Sequence, residues 1–345
     1  MKKILKVLGI ILLVLMLVAG VLLAGAWKIF GEKVTAAQSV TKLEDGLYYL
    51  EYAGNYGFEE FLTSGGADSE AKMAEYIISF LSGGFVKTVS VPVEQNFGCS
   101  TLTVDSLMGR NYEWEGDWGK AMIIHTVPED GYESYSTCWL DFLGFGEDWL
   151  PEGMPNQYMA LASIYVPLDG MNEKGLCVAD LVNGDDEQTH QNTEKADMTT
   201  NSAIRLLLDK AANVEEAIAL LEQYDMNSAI GMSHHLSISD ASGKSVVVEY
   251  VNNQMIVTET PAVTNHYLSE GEKYGVGNEE SMARFNKLVT MSSGIVNTEQ
   301  MRDCMAAVSY EGITQWSIVY DMENASFDFY WQRDYDNPYT YIIEK

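Results

Sequence analysis

Residues 97–114 read FGCSTLTVDSLMGRNYEW, a stretch in which a cysteine opens a predicted β-hairpin. Ser100–Val104 alternates in polarity, Asp105 and Ser106 are typical turn residues, and Gly109–Trp114 returns as a second strand. This pattern places Cys99 at the start of one strand and Arg110 on its partner. A cation beside a thiol favours the thiolate, the reactive form of cysteine. Cys99 is therefore a candidate nucleophile.

Outward from the hairpin, strand and helix patterns follow one another in blocks. Further strands are predicted at Lys120–Val127, Tyr135–Leu143, Tyr158–Pro167 and Gly175–Leu181, and hairpins at His234–Ser239 with Lys244–Tyr250 and at Trp316–Asp321 with Ser326–Trp331. Helices are predicted at Ser69–Leu81, Ser202–Ala212, Val214–Gln223, Glu279–Thr290 and Glu299–Val308. Strand runs, then helices, then strand runs indicate an α+β layered fold.

The composition bears on the partners of the protein. Of 345 residues, 50 are acidic and 21 are basic, so the formal net charge is −29. Nucleic acid is not expected as a partner, because duplex binding depends on Lys and Arg neutralising phosphates. The four cysteines show no CxxC spacing and form no zinc-type cluster with the five histidines, so we expect no metal and no other cofactor. An even cysteine count permits disulfides outside the cell.

The N-terminal segment predicts export. Lys2, Lys3 and Lys6 precede an uncharged run over 7–27, which at about 1.5 Å per residue is long enough to cross a bilayer core. Because the lysines stay on the cytoplasmic side, the rest of the chain is expected outside the cytoplasm, either membrane-anchored or secreted after signal cleavage. Residues 1–30 are thus interpreted as a signal or membrane anchor, followed by a short linker over Gly31–Val40.

Four further motifs carry side chains suited to catalysis, and each also has an ordinary structural interpretation. Residues 109–114 (GRNYEW) fit a surface strand, 172–176 (NEKGL) a turn into a strand, 263–266 (VTNH) a turn, and 281–285 (SMARF) the solvated face of a helix. A lone cysteine is most often a small buried apolar residue. The order and combination of the motifs, rather than any one of them, indicate a function.

In that order the motifs resemble the choloylglycine hydrolase family, which includes bile salt hydrolases, penicillin V acylases, acid ceramidase and the acyltransferase that makes penicillins. The resemblance covers residues 99–345 and implies an N-terminal-nucleophile (Ntn) hydrolase. The implied fold is a four-layer αββα sandwich of two antiparallel sheets between helices. Residues 31–98 would then be a linker and pro-segment, cut from the catalytic domain, 99–345, between Gly98 and Cys99.

The resemblance also implies roles for individual residues. Cys99 matches the nucleophile, and Arg110 matches the arginine that holds the thiolate and the neighbouring acid. Glu113 stands where the family usually has Asp, the acid that orients the amine of the nucleophile. Asn265 matches the oxyanion asparagine, and Arg284 matches the arginine of the Ser-x-x-Arg-Phe pattern.

The sequence departs from the family pattern at three places. The hairpin between Cys99 and Arg110 is shorter than in bile salt hydrolases. Glu113 is one methylene longer than the usual Asp. The second asparagine is displaced, because Val182 occupies its position and Asn183 follows. A backbone N–H near Val182 or Asn183 is accordingly the second oxyanion candidate.

An N-terminal cysteine combines a nucleophile and a base in one residue. Reference pKa values of about 7.7–8.0 for an α-amine and about 8.5 for a thiol make proton transfer between them nearly balanced at neutral pH. A residue in mid-chain has no such amine, so Cys99 is expected to act only after the Gly98–Cys99 bond is broken. The expected reaction is hydrolysis of a linear small-molecule acyl amide through a thioester.

Other interpretations stay open from the sequence. An amine acceptor in place of water would make the protein an acyltransferase. A Cys/His thiol hydrolase using His266 or His125 would need no chain cleavage. A membrane-tethered binding protein could keep the fold without catalysis, as the departures at Glu113 and Asn183 would allow. The acyl group and the oligomeric state, including a homo-oligomer, are not defined by the sequence.

Overall fold

Two β-sheets form the centre of the molecule. The computed structural model describes residues 25, 27–83, 97–115, 118–185, 187–228, 231–277 and 279–343. The larger sheet has nine strands, in spatial order β1 (Thr41–Glu44), β2 (Leu47–Ala53), β5 (Ala121–Val127), β6 (Ser134–Trp139), β7 (Asp169–Asn172), β8 (Cys177–Val182), β11 (His234–Ser239), β12 (Ser245–Val251) and β13 (Gln254–Glu259).

The second sheet has six strands, in spatial order β14 (Ala262–Val263), β3 (Phe97–Val104), β4 (Leu107–Trp114), β15 (Thr314–Asp321), β16 (Ser326–Trp331) and β17 (Tyr339–Ile342). A separate parallel pair is formed by β9 (Ala196–Thr199) and β10 (Tyr224–Asn227). Neighbouring strands of both large sheets run antiparallel, except that β2 pairs with β5 in parallel.

Helices cover the outer faces of the two sheets. The helices are α1 (27–39), α2 (Phe58–Thr63), α3 (Glu70–Leu81), α4 (Met154–Ala160), α5 (Thr200–Lys210), α6 (Val214–Leu221), α7 (Glu279–Ser292) and α8 (Thr298–Val308). Helix α5 packs on β7 and β8 of the larger sheet, whereas α7 and α8 pack on β3, β4 and β15 of the smaller one. Three apolar clusters fill the spaces between the four layers. The predicted αββα sandwich is therefore confirmed.

Local signals set the starts of three helices, α5, α6 and α8. The side chain of Asn213 accepts from the backbone N–H of Glu216 at 2.9 Å, and Asn297 accepts from Gln300 in the same way. These are N-caps, which satisfy backbone donors that the first helical turn leaves free. Helix α5 begins at Thr200, two residues before the predicted start, because Thr199 and Ser202 form a capping box.

Two predicted elements were wrong, and a third was wrong in part. Tyr135–Leu143, predicted as a strand, is β6 only as far as Trp139 and continues as a 3-10 helix over Leu140–Leu143. Tyr158–Pro167, predicted as a strand, contains the end of α4 and a 3-10 helix over Leu161–Tyr165. The run is apolar on all sides because it is enclosed, and Pro155 in the first turn of α4 was the helix signal. Gly31–Val40, predicted as a linker, belongs to α1 as far as residue 39, since Ala36, Ala37 and Val40 are buried in the core.

The segment before Cys99 is built into the larger sheet. Strand β2 lies between β1 and β5, and its residues Leu47 and Leu50 are fully buried. The proposed boundary between pro-segment and catalytic domain stays a prediction. Most of the apolar run 7–27 lies outside the described residues, and within the described part no helix is long and apolar enough to cross a membrane.

Candidate active site

The opening hairpin forms as predicted and places two charged side chains beside the thiol. In the pairing of β3 with β4, Cys99 lies opposite Tyr112, Gly98 opposite Glu113, and Thr101 opposite Arg110. A close approach of α8 requires the glycine of the GRNYEW motif, because a Cβ on Gly109 would lie 2.6 Å from the side chain of Met305. Helix α8 therefore packs directly against β4, the strand that pairs with the strand of Cys99.

Asn265 holds the backbone nitrogen of Cys99. Strand β14 pairs with β3, Val263 opposite Thr101, and this brings the following residues to the start of β3. Asn265 Oδ1 accepts the backbone N–H of Cys99 at 2.8 Å, and Asn265 Nδ2 donates to the carbonyl of Val182 at 2.6 Å. The nitrogen that cleavage would turn into an α-amine therefore has a fixed side-chain acceptor.

Arg284 connects the other groups of the cluster. From α7 its Nη2 donates to the carbonyl of Cys99 at 2.8 Å and to Asn265 Oδ1 at 2.7 Å, and its Nη1 pairs with Glu113. Glu113 also accepts from the hydroxyl of Thr314 at 3.2 Å. Burial raises the pKa of Glu113, and the charge of Arg284 opposes that shift. In the uncut chain Glu113 thus holds Arg284, while the expected contact with the Cys99 nitrogen is made by Asn265.

Arg110 is fully buried and its acid is Asp169. Its Nε lies 3.3 Å from Asp169 Oδ2, Nη1 donates to the carbonyl of Asn111 at 2.7 Å, and Nη2 donates to the carbonyl of Asp180 at 2.9 Å. The guanidinium of Arg110 also interacts electrostatically with the thiol of Cys99. The acid paired with Arg110 is Asp169 on β7 of the facing sheet rather than the expected Glu113, on which Arg110 acts through its charge. A lone Asp in front of the NEKGL motif was the signal for this residue.

The second oxyanion candidates differ in availability. The backbone N–H of Asn183 donates to the carbonyl of Ser233 at 3.2 Å, and the carbonyl of Val182 accepts from Asn265. The side chain of Asn183 is fully buried, and neither of its amide atoms has a hydrogen-bond partner among the described residues. The Asn183 side chain, rather than its backbone, is the group left free to bind something.

The thiol is enclosed in the uncut chain. Cys99 is 3% exposed. Burial raises the pKa of the Cys99 thiol, and the neighbouring Arg110 guanidinium acts to lower it. A buried thiol above its usual pKa is a poor nucleophile, and Arg110 is the group that would stabilise its thiolate. All four cysteines are free, and the described residues contain no cluster of His, Cys, Asp and Glu that could hold a metal ion.

The histidines considered as alternative bases are engaged elsewhere. His266 Nδ1 lies 2.8 Å from the hydroxyl of Ser281 and 3.1 Å from that of Thr264. His125 Nε2 lies 2.8 Å from Glu133 on the neighbouring strand. Among the described contacts neither ring is paired with Cys99, so the geometry gives no support to a Cys/His thiol hydrolase.

The five predicted site residues therefore lie together, although they come from β3, β4, the segment after β14 and α7. Asp169 and Thr314 were missed as parts of this cluster. Contacts between a strand of one sheet and a strand of the facing sheet leave no periodic signal in the sequence. Only the identity of a polar residue within an apolar strand hints at them.

Comparison with known proteins gives three kinds of match. The sequence model of the family described as acyl-coenzyme A:6-aminopenicillanic acid acyl-transferase matches residues 103–334. A penicillin V acylase from Pectobacterium atrosepticum is 30% identical over 99 residues, which is 26% of this chain and 26% of that protein. The chain thus matches about a quarter of the length of this curated relative.

The third kind is structural. A mutant conjugated bile acid hydrolase from Clostridium perfringens superposes with a TM-score of 0.50 and 16% identity, covering 72% of this chain and 92% of the other. A penicillin V acylase from Agrobacterium tumefaciens gives a TM-score of 0.47 and 16% identity over 70% of this chain and 84% of the other. At this level of identity the bile acid hydrolase shows the fold alone, and that fold is the predicted one.

Proposed function

Because the chain belongs to the acyl-coenzyme A:6-aminopenicillanic acid acyl-transferase family, we propose that it hydrolyses a linear acyl amide with Cys99 as an N-terminal nucleophile. The observation that carries the proposal is the fixing of Cys99 on both sides of its Cα. Its backbone N–H is held by Asn265 and its carbonyl by Arg284, each at 2.8 Å. A nucleophile that uses its own amine as base needs this nitrogen in a defined position.

Maturation is the first step of the proposal. The thiol of Cys99 attacks the carbonyl carbon of Gly98, a C–S bond forms, the C–N bond breaks, and the thiol proton passes to the departing nitrogen. Water then attacks the resulting thioester, which releases Gly98 as a carboxylate and leaves the amine and the thiol on Cys99. Gly98 has no side chain to obstruct the attack.

Turnover repeats the same chemistry on an external amide. The α-amine takes the thiol proton and Arg110 stabilises the thiolate, which attacks the acyl carbonyl. The C–N bond of the substrate breaks as the amine product takes that proton. Water, deprotonated by the α-amine, then cleaves the thioester and releases the carboxylic acid. Asp169 keeps Arg110 in place throughout.

Asn265 and Asn183 are the proposed donors to the tetrahedral oxyanion. Asn265 Nδ2 carries two hydrogens, one of which is used by the carbonyl of Val182, so the second is free. Asn183 offers a buried side-chain amide with no partner among the described residues. Such a donor typically contributes about 2.7–4 kcal/mol to transition-state stabilisation. A side-chain donor from Asn183 would compensate for the displaced second asparagine.

An acyltransferase reaction is the second candidate, since the family description names one. It shares every step up to the thioester and differs only in the acceptor, an amine instead of water. Adding an amine such as 6-aminopenicillanic acid to the reaction distinguishes the two. A transferase forms a new amide at the expense of the free acid, whereas a hydrolase leaves acid release unchanged.

The place of the reaction is proposed from the N-terminus. Three lysines before an uncharged run over 7–27 support a catalytic domain outside the cytoplasm, either anchored or secreted. Protease treatment of intact cells tests this directly. The domain should be degraded from outside or found in the medium, and protection until the cells are lysed would contradict the proposal.

The activity itself is tested on a panel of acyl amides, with phenoxyacetyl, fatty-acyl and bile-acid conjugates, by the release of primary amine. Purified wild-type protein should hydrolyse at least one member, and Cys99→Ala should hydrolyse none. Cys138→Ala is the matched control, because Cys138 is also free and buried but lies on β6 outside the cluster. Wild-type rates from Cys99→Ala would overturn the proposal, and a fully inactive wild type would favour the binding-protein alternative.

A further inference from the structure

The segment 264–269, which carries Asn265, is fixed at both ends by buried hydrogen bonds. At one end, the hydroxyl of Thr264 donates to the carbonyl of Ser281 on α7 at 3.0 Å. At the other end, the backbone N–H groups of Leu268 and Ser269 donate to Glu249 on β12, at 2.9 and 2.7 Å. The position of Asn265 between these two ends is therefore set by both layers of the molecule that flank it.

Glu249 is the acceptor at the second end and is fully buried. Besides the two N–H groups, it takes a hydrogen bond from His235 Nδ1 at 3.0 Å. Burial acts to raise the pKa of Glu249, but the hydrogen bond and charge of His235 and the N–H of Leu268 outweigh it and lower the pKa. The side chain is thus an ionised carboxylate whose oxygens are committed to three donors.

We propose that Glu249 is a positioning residue that sets where the Asn265 side chain lies relative to Cys99. This inference rests on the proposed function, in which Asn265 holds the amine and donates to the oxyanion. The contacts of Asn265 with Cys99 and Arg284, at 2.8 and 2.7 Å, leave little room for displacement. A misplacement of about 1 Å in a reacting group typically costs about 100-fold in rate.

Two variants separate positioning from general stability. Glu249→Met keeps the length and apolar packing of the side chain but removes every acceptor. Glu249→Gln keeps one oxygen, which can accept from Leu268 and Ser269, and its NH2 group can donate to His235 Nδ1 when the imidazole carries its hydrogen on Nε2. The conservative variant should therefore rescue what the methionine loses.

Asp225→Leu is the matched control. Asp225 is 2% exposed and accepts from the backbone N–H groups of Thr193 and Lys195 at 2.6 and 3.3 Å, so it fixes a loop in the same way. It lies on β10 of the small parallel pair, outside the cluster around Cys99. The control should lose thermal stability comparable to that lost by Glu249→Met and keep its kcat.

Kinetics are measured on protein shown by intact mass to begin at Cys99. We expect Glu249→Met to lower kcat at least about 10-fold with KM changed by less than about 3-fold, and Glu249→Gln to stay within about 3-fold of wild type in both. Equal kcat in Glu249→Met and wild type would overturn the proposal. So would an equal loss of kcat in Asp225→Leu.

A second readout does not depend on activity. In an uncut Cys99→Ala background, the backbone N–H of residue 99 still donates to Asn265, and its hydrogen exchange reports on that contact. Exchange at residue 99 should be at least about 10-fold faster with Glu249→Met and unchanged with Asp225→Leu. Unchanged protection in folded Glu249→Met would contradict the positioning role. If wild-type protein hydrolyses no amide, the proposed function fails and this exchange measurement alone decides the role of Glu249.

Discussion

Replacing Asp169 by Asn tests whether its carboxylate holds Arg110 beside the nucleophile. Asp169 is fully buried and accepts from four donors. Arg110 Nε and Trp316 Nε1 each lie 3.3 Å from Oδ2, while the hydroxyls of Thr137 and Tyr320 lie 2.6 and 3.1 Å from Oδ1. Asn has nearly the same shape but one NH2 group and no charge, so one pair of donors loses its acceptor.

The size of the effect follows from the burial of the pair. Removing one partner of a buried ion pair costs about 3–5 kcal/mol, because the remaining charge is left uncompensated. Each buried donor without an acceptor costs about 1–3 kcal/mol. These costs overlap rather than add, since Arg110 keeps the carbonyls of Asn111 and Asp180. We expect Asp169→Asn to lower the free energy of unfolding by about 3–5 kcal/mol.

Urea unfolding in the uncut Cys99→Ala background measures this free energy without interference from cleavage. Asp328→Asn is the control, because Asp328 accepts from the hydroxyl of Thr340 in an exposed contact, and its change should stay within about 0.5 kcal/mol. A decrease of less than about 1 kcal/mol in the free energy of unfolding of Asp169→Asn would refute the reasoning, because the loss of a buried acceptor of Arg110 should cost more than that.

Three other outcomes are expected. Arg284→Lys should slow maturation and lower kcat by about 10–100-fold, because a single ammonium cannot bridge Glu113, Asn265 and the carbonyl of Cys99 as the guanidinium does. Intact mass measures the extent of cleavage, and wild-type cleavage together with a wild-type kcat would contradict this prediction. After cleavage the two fragments should co-elute in size exclusion, because β2 stays between β1 and β5, and their separation without denaturant would count against that view. The free energy of unfolding should fall as pH drops from about 6.5 to about 4. The pKa of buried His266 is lowered to about 4, by burial first and then by His235. Between these two pH values the unfolded chain therefore binds a proton that the folded chain does not, and protonation favours unfolding. His266→Asn should flatten that part of a urea-unfolding pH series, and an unchanged slope would argue against it.

Local chemistry explains why so much of the fold could be predicted. The hairpin of β3 and β4 needs only alternating polarity and the turn at Asp105, and α6 and α8 need only their Asn caps. Once the hairpin is formed, its register places Arg110 and Glu113 near Cys99 without further information. The arrival of Asn265 and Arg284 at the same point came from the family resemblance and not from any local pattern.

What could not be predicted depends on contacts between distant segments. The parallel pairing of β2 with β5 joins residues more than seventy positions apart, and the sequence of β2 alone does not predict which strand it pairs with. Asp169 and Glu249 are acids within strands, and their donors come from other strands and loops. The strand prediction for Tyr158–Pro167 failed for a related reason. A segment that is buried on all sides is apolar at every position, so it lacks the hydrophobic periodicity that distinguishes a helix from a strand.

The chain end of the mature protein is the most direct test of the mechanism. N-terminal sequencing and intact mass of protein purified under native conditions should give a fragment that begins at Cys99, and Cys99→Ala should give the uncut chain. A wild-type protein that hydrolyses acyl amides while its Gly98–Cys99 bond is intact would contradict the account, because Cys99 would then have no α-amine to act as base.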